Sequence, residues 1–191
     1  MATSSQPWIT TAAVPRLRRA VWMAMAAMTM FFLALTYAYL ERHGLAAGWF
    51  SPQLGAILGA NTALLVASSL ALLRARQFLA ARSLRGTLRW LLTALGFGLG
   101  FLAGQALAWW SLFTAGVYIG DHPNSGFFFL VTAAHAVHLA IALALLAWVA
   151  SRAWRGRLVP DRAWLMDLTS IIWHCLDITW IYLFLVLVLY R

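Results

Sequence analysis

The sequence predicts an all-α integral membrane protein, a bundle of five transmembrane helices oriented N-in/C-out. Three observations carry that expectation. The 191-residue chain is 63% hydrophobic and 10% charged, against about 25% charged residues in an average soluble domain. Its apolar residues gather into five runs, each long enough to cross a hydrocarbon core of about 30 Å at about 1.5 Å per helical residue. Its basic residues cluster between those runs. A formal net charge of +9 would otherwise suggest a nucleic-acid partner, but no basic residue joins an aromatic-interleaved polar surface. The charge reads as topology, and no nucleic acid is expected.

Taken in order, residues 1–15 form a polar cytoplasmic tail and residues 16–191 the five-helix domain. The first span, 17–40, follows Arg16, Arg18 and Arg19. It is about twice as long as a signal-peptide core and lacks a small-x-small cleavage site, so it is expected to be retained. The second span covers 52–73, the third 88–112, the fourth 126–150 and the fifth 164–190. Arg74, Arg76, Arg82, Arg85 and Arg89 separate the second span from the third, and Arg152, Arg155, Arg157 and Arg162 separate the fourth from the fifth. The loops 41–51 and 116–125 contain Arg42 alone, with Glu41 and Asp121. Twelve of the fourteen arginines therefore fall on one side, which the positive-inside rule assigns to the cytoplasm. Trp22, Trp90, Trp109, Trp110 and Trp164 sit near expected helix ends, where an amphipathic ring favours the interface. No inverted repeat of the transporter type is visible. Every basic residue is Arg, which together with abundant Ala, Leu and Gly fits a GC-rich bacterial genome. Cys175 is the only cysteine, so an internal disulfide or a thiolate metal cluster is excluded.

Polar side chains inside spans are costly and therefore candidates for function. His138 lies near the middle of the fourth span and Asp177 near the middle of the fifth, with His135 and His174 one turn away on the same faces. A buried interhelical polar lock of His135, His138, His174 and Asp177 is the simplest arrangement. Asn61 and Thr62 in the second span and Gln105 in the third lie at similar depth, with Ser68 and Ser69 nearer the cytoplasm; such groups hydrogen-bond across helices in lipid. Gly96, Gly98, Gly100 and Gly104 are expected to let neighbours approach the third helix closely. Packing is the plain reading of both sets. The sharper one is haem or metal ligation by histidine. Histidines at i, i+3 cannot be opposite axial ligands of one haem, which leaves a cross-helix pair such as His138 with His174. Cys175 points about 100° away from His174 on the same helix.

Several segments resemble the cytochrome oxidase subunit III family. Residues 127–138, FFFLVTAAHAVH, look like its fourth-helix motif with two phenylalanines, a threonine and H-x-x-H, and residues 173–180, WHCLDITW, resemble its final W-H-x-x-D-x-x-W. Residues 61–69, NTALLVASS, are similar to N-T-x-x-L-L-x-x-S-S; Gln105 with Trp109 fits Q-x-x-x-W; and residues 30–40, MFFLALTYAYL, look like the first conserved helix. The elements occur in family order, touch all five spans, and match the short bacterial form. Two carboxylates of the family pattern are missing: Ala27 and Met28 stand where S-E precedes x-x-F-F, and Ala108 replaces the glutamate of Q-x-x-E-W. Ala133 and Ala136 replace glycines flanking H-x-x-H. Any proton role of the first of those acids is not carried over to Met28.

The resemblance implies a non-redox accessory subunit of a bacterial haem-copper terminal oxidase, in aerobic respiratory electron transport that couples oxygen reduction to proton translocation. Its expected partners are subunit I, which packs against it, the other subunits, and membrane phospholipids in the bacterial inner membrane. No cofactor is expected on this chain itself; haem and copper belong to partner subunits, and structural phospholipid is expected. Arg74, Arg76, Arg82 and Arg155 are candidates for clamping lipid phosphates by bidentate hydrogen bonds, set against plain solvated positive-inside charge. Three other readings stand beside this one: a homologous protein associated with nitric oxide reductase, a small transporter or proton channel built on the mid-depth histidines and aspartate, and a b-type cytochrome.

Overall fold

The computed structural model describes residues 14–41, 51–119, 123–158 and 163–189, with side chains from Ser125 onward in the third of these segments. Those residues form five α-helices and no strands: α1 (Val14–Glu41), α2 (Pro52–Ala80), α3 (Leu84–Thr114), α4 (Pro123–Trp154) and α5 (Ala163–Leu189). Each is long and apolar enough to cross a membrane. Most of the tail expected over 1–15, together with Arg42, Asp121 and Arg162, lies outside the described residues; Val14 and Pro15 open α1.

Local chemistry sets the helix ends. Ser51 caps α2, its hydroxyl accepting from the Leu54 amide at 3.2 Å with Pro52 in the first turn, where a missing N–H costs nothing. Ser83 caps α3 the same way through Gly86. Three helices end on a left-handed residue: Arg82 (φ 57°), Gly116 (φ 77°) and Gly156 (φ 64°). At each, paired amides return to the last turn, as when Ser83 N donates to Phe78 O and Arg82 N to Leu79 O.

The helices outrun the expected spans, and this corrects the placement of the arginines. α2 has 29 residues, about 43 Å at about 1.5 Å each, so it continues through Arg74 and Arg76. α3 begins before Arg85 and Arg89, and the connection between them shrinks to residues 81–83. Helical backbone stays hydrogen-bonded beyond the hydrocarbon, and long arginine side chains reach water from it. The charged belt is built mostly on helix ends.

Packing follows the chain. α2 and α3 form the most extensive pair, α3 continues to α4, α4 to α5, and α5 closes the ring against α2; α1 lies outside, on α5 and α4. Two of the glycines expected to admit a neighbour do so. A Cβ on Gly98 would come within 2.7 Å of Leu143 and 2.8 Å of Trp173, and one on Gly104 would overlap the Asn61 amide. The other two do not fit that expectation: a Cβ at Gly96 would meet nothing and at Gly100 only Leu64 at 3.6 Å, because helical rotation turns those positions away from the neighbouring axes. Trp173 is fully buried in the space Gly98 leaves, and Trp180 is fully buried further along α5.

Candidate functional site

On α5, residues Trp173, Leu176 and Trp180 form the stripe buried against the bundle interior. At about 100° per residue, Asp177 falls at the edge of that stripe and His174 further round, toward α2. The α2 face that meets them carries Thr62, Ser69 and Arg76 at heptad spacing, the period that keeps one face of a helix on its neighbour. A polar seam results. At its arginine-rich end Arg76 forms a 2.5 Å ion pair with Asp167, both half-exposed. Deeper in, the Ser69 hydroxyl lies 2.8 Å from His174 Nδ1 and donates to Asp177 Oδ2. Deepest, Trp180 Nε1 donates to Thr62 Oγ1 at 3.1 Å.

Asp177 is 5% exposed and its Oδ1, like His174 Nε2, has no hydrogen-bond partner among the described residues. Buried polar atoms in that condition are uncommon.

The four residues expected to lock the fourth and fifth helices together do not form one hydrogen-bonded group. His135 is fully buried, but both its ring nitrogens lack partners. It is enclosed by rings, with centroids 5.0 Å from Trp180, 5.9 Å from Phe101 and 6.1 Å from Phe32. His138 turns its Nδ1 to Ala134 O at 2.7 Å and packs in a T-shaped contact with Phe32 at 5.7 Å between ring centroids. His174 and Asp177 bond α2 instead. The reason is rotational: the two tryptophans occupy the part of α5 that faces α3 and α4, which leaves the histidine and aspartate to α2. The seam thus runs between α2 and α5. Ser69 was expected to hydrogen-bond across helices; Asp167 and the bond from Trp180 were not singled out from sequence, and the available signal was the recurrence of polar residues every seven positions on the second helix, which marks the face they meet.

Of the other expected polar groups, Thr62 joins the seam while also donating to Leu58 O. Asn61 is buried against Gly104, and Gln105 is buried with neither amide atom partnered. Ser68 crosses to Ala94 O of α3 at 2.8 Å, and Trp109 Nε1 donates to Thr132 Oγ1 of α4 at 3.0 Å. Arg74 donates to Gln77 on its own helix. Arg82 sits in the α2–α3 turn, Arg155 follows the end of α4, and both are exposed. Cys175, beside His174 in sequence, is a free thiol of intermediate exposure. Among the described residues no three His, Cys, Asp or Glu side chains converge on a point that a metal ion could occupy.

If the seam contributes to bundle stability, Ser69→Ala should lower the unfolding free energy in detergent by about 1 kcal/mol, within the range measured for interhelical hydrogen bonds in membranes. An unchanged unfolding midpoint would separate the seam from stability. The Arg76–Asp167 pair, exposed to solvent, should contribute less than about 1 kcal/mol.

Residues 7–191 match the family described as cytochrome c oxidase subunit III. A probable cytochrome c oxidase subunit 3 of Mycobacterium leprae is 28% identical over 174 residues, covering 90% of this chain and 85% of that protein. A cytochrome c oxidase subunit 3 of Synechocystis is 26% identical, covering 88% and 73% respectively. The subunit 3 of Corynebacterium diphtheriae is 35% identical over a shorter stretch of 101 residues, 52% of this chain and 49% of that protein. With a match that spans nearly its whole length and five helices able to cross a membrane, this multi-pass protein belongs to the cytochrome c oxidase subunit III family.

Proposed function

We propose that the chain is a non-redox accessory subunit of a bacterial haem-copper terminal oxidase, seated on subunit I in the inner membrane with its N-terminus in the cytoplasm. The family match across residues 7–191 carries this reading. The packing of His135 supports its non-redox part. That histidine is the most deeply enclosed of those described, and ligation of a haem iron would require displacing the rings of Phe32, Phe101 and Trp180 that surround it. The subunit's contribution to the oxidase is then structural: it holds the catalytic subunit's flank and supports its proton uptake.

Phospholipid is the expected companion. Arg74, Arg76, Arg82 and Arg155 all belong to the arginine-rich end, where guanidinium forks suit phosphate oxygens. Grooves of about 310 and 270 Å³ flank the Arg76–Asp167 pair there.

The test is purification of the tagged chain from its native membrane. The expected result is recovery of the haem- and copper-bearing subunit in near-stoichiometric amount, oxygen consumption by that complex, and no haem absorbance from the chain once separated. A stoichiometric Soret band on the separated chain, or a purified complex without an oxidase catalytic subunit, would overturn the proposal.

A further inference from the structure

We propose that Ser69, His174 and Asp177 form a one-sided proton-holding site, which exchanges protons with the arginine-rich side through the groove between α1, α2 and α5 and is closed toward the opposite side by Trp180.

Four observations carry this. The first is access. The groove of about 270 Å³ is lined from α1 by Val14 and Arg18, from α2 by Arg76, and from α5 by Trp164, Asp167, Leu168 and Ile171. It thus follows α5 inward and stops at Ile171, three residues before His174, about 4.5 Å along the helix axis. The second is the unpartnered His174 Nε2 beyond its inner end, an atom able to accept or donate a proton.

The third is the relay geometry. One hydroxyl, Ser69 Oγ, bridges His174 Nδ1 and Asp177 Oδ2. With Asp177 ionised, Ser69 donates to Oδ2 and His174 donates its Nδ1–H to Ser69. A hydronium that advances from the groove's inner end past Ile171 to the buried Nε2 gives it a proton and leaves as water. The Nδ1 proton then passes to Ser69 Oγ while the Ser69 proton passes to Asp177 Oδ2. One N–H and one O–H bond break and two O–H bonds form. The imidazole is neutral again with its proton on Nε2, Ser69 now donates to Nδ1, and Asp177 is a carboxylic acid donating to Ser69. One proton has been taken up without displacing a heavy atom, and release runs the same steps backward.

The fourth is closure. One turn beyond Asp177, Trp180 is fully buried, hydrogen-bonded to Thr62 and packed on Phe101 at 4.7 Å and His135 at 5.0 Å between ring centroids. The indole N–H is already committed, and the indole can only donate. The relay therefore ends there.

The ionisable groups around the site are few. α2 contributes Arg76 and α1 contributes Arg18, both at the groove; α5 contributes Asp167, paired with Arg76. α4 contributes His135 against Trp180 and His138 against Phe32. α3 brings Ala94, Gly98 and Phe101 to this depth.

The test is infrared difference spectroscopy on the full chain, reconstituted in one orientation in liposomes, after a pH jump on one side. Acidifying the arginine-rich side should raise a deuterium-sensitive carboxylic C=O band that Asp177→Asn abolishes. Ser69→Ala and His174→Phe, which keep the carboxyl, should slow its rise at least tenfold. Wild-type liposomes should hold a pH gradient as well as empty ones. A band that is absent, survives Asp177→Asn, rises at unchanged rate in both relay variants, or responds equally to acidification of the other side overturns the proposal, as does a proton leak through the wild type. If the variants unfold, the sidedness of the wild-type band decides alone.

Discussion

Replacing Trp180 with alanine is expected to cost about 3 kcal/mol of unfolding free energy, the lower end of the range for truncating a buried aromatic. The lower end applies because the surrounding solvent is lipid, so the loss is one of packing contacts rather than of apolar area hidden from water. Trp180 is fully buried, touches α3 through Phe101 and α4 through His135, and bonds α2 through Thr62. Its removal therefore loosens three helices at once. Trp180→Phe keeps most of the volume and loses the indole N–H, so it should cost about 1 kcal/mol. Combining it with Thr62→Val tests that attribution, since two changes that remove the same bond should cost less together than the sum of each alone. Thermal unfolding in detergent, read by near-ultraviolet circular dichroism, measures both. A Trp180→Ala variant that unfolds within a degree of the parent would show that the indole is not a keystone of the core.

Gly104→Ala is expected to destabilise the bundle by about 1–3 kcal/mol, the usual cost of inserting volume into a filled interior, although alanine is the better helix former by about 1 kcal/mol. The added methyl would overlap the side chain of Asn61, which is 2% exposed and packed between α2 and α3. Gly98→Ala should behave similarly against Trp173 and Leu143. Two controls make the prediction specific. Gly96→Ala meets no atom within 4 Å and should be neutral or stabilising by up to about 1 kcal/mol. Asn61→Ala combined with Gly104→Ala should recover most of the loss, because the clash is with that one amide. Equal effects at positions 96 and 104 would mean that helix propensity rather than close approach governs the third helix.

The contrast among these glycines shows how far the sequence could be read. Their spacing marked the third helix as one that packs closely, but which of the four faces a neighbour depends on the direction of each Cα–Cβ vector relative to helices distant in the chain. The arginine clusters are a similar case. Their side of the membrane was an expectation from charge counts, whereas their secondary structure was misjudged: apolar length signals where hydrocarbon ends, and a capped helix continues past that point as long as its backbone bonds are satisfied. The mid-depth histidines and aspartate were legible as candidates because polar groups in a span are costly. Their partners were not. His174 and Asp177 looked suited to His138 by depth, yet depth is one coordinate and facing is another.

The all-helical class, the five apolar segments, the polar positions within them and the order of family motifs were legible in the sequence, because each follows from local composition and spacing along one chain. Packing between helices distant in the chain settles that α5 closes the ring against α2, that Trp173 and Trp180 take the inward face, and that Ser69 bridges His174 and Asp177. Those outcomes depend on how each helix is rotated about its axis, and that rotation is set jointly by every side chain that must fit between neighbouring helices.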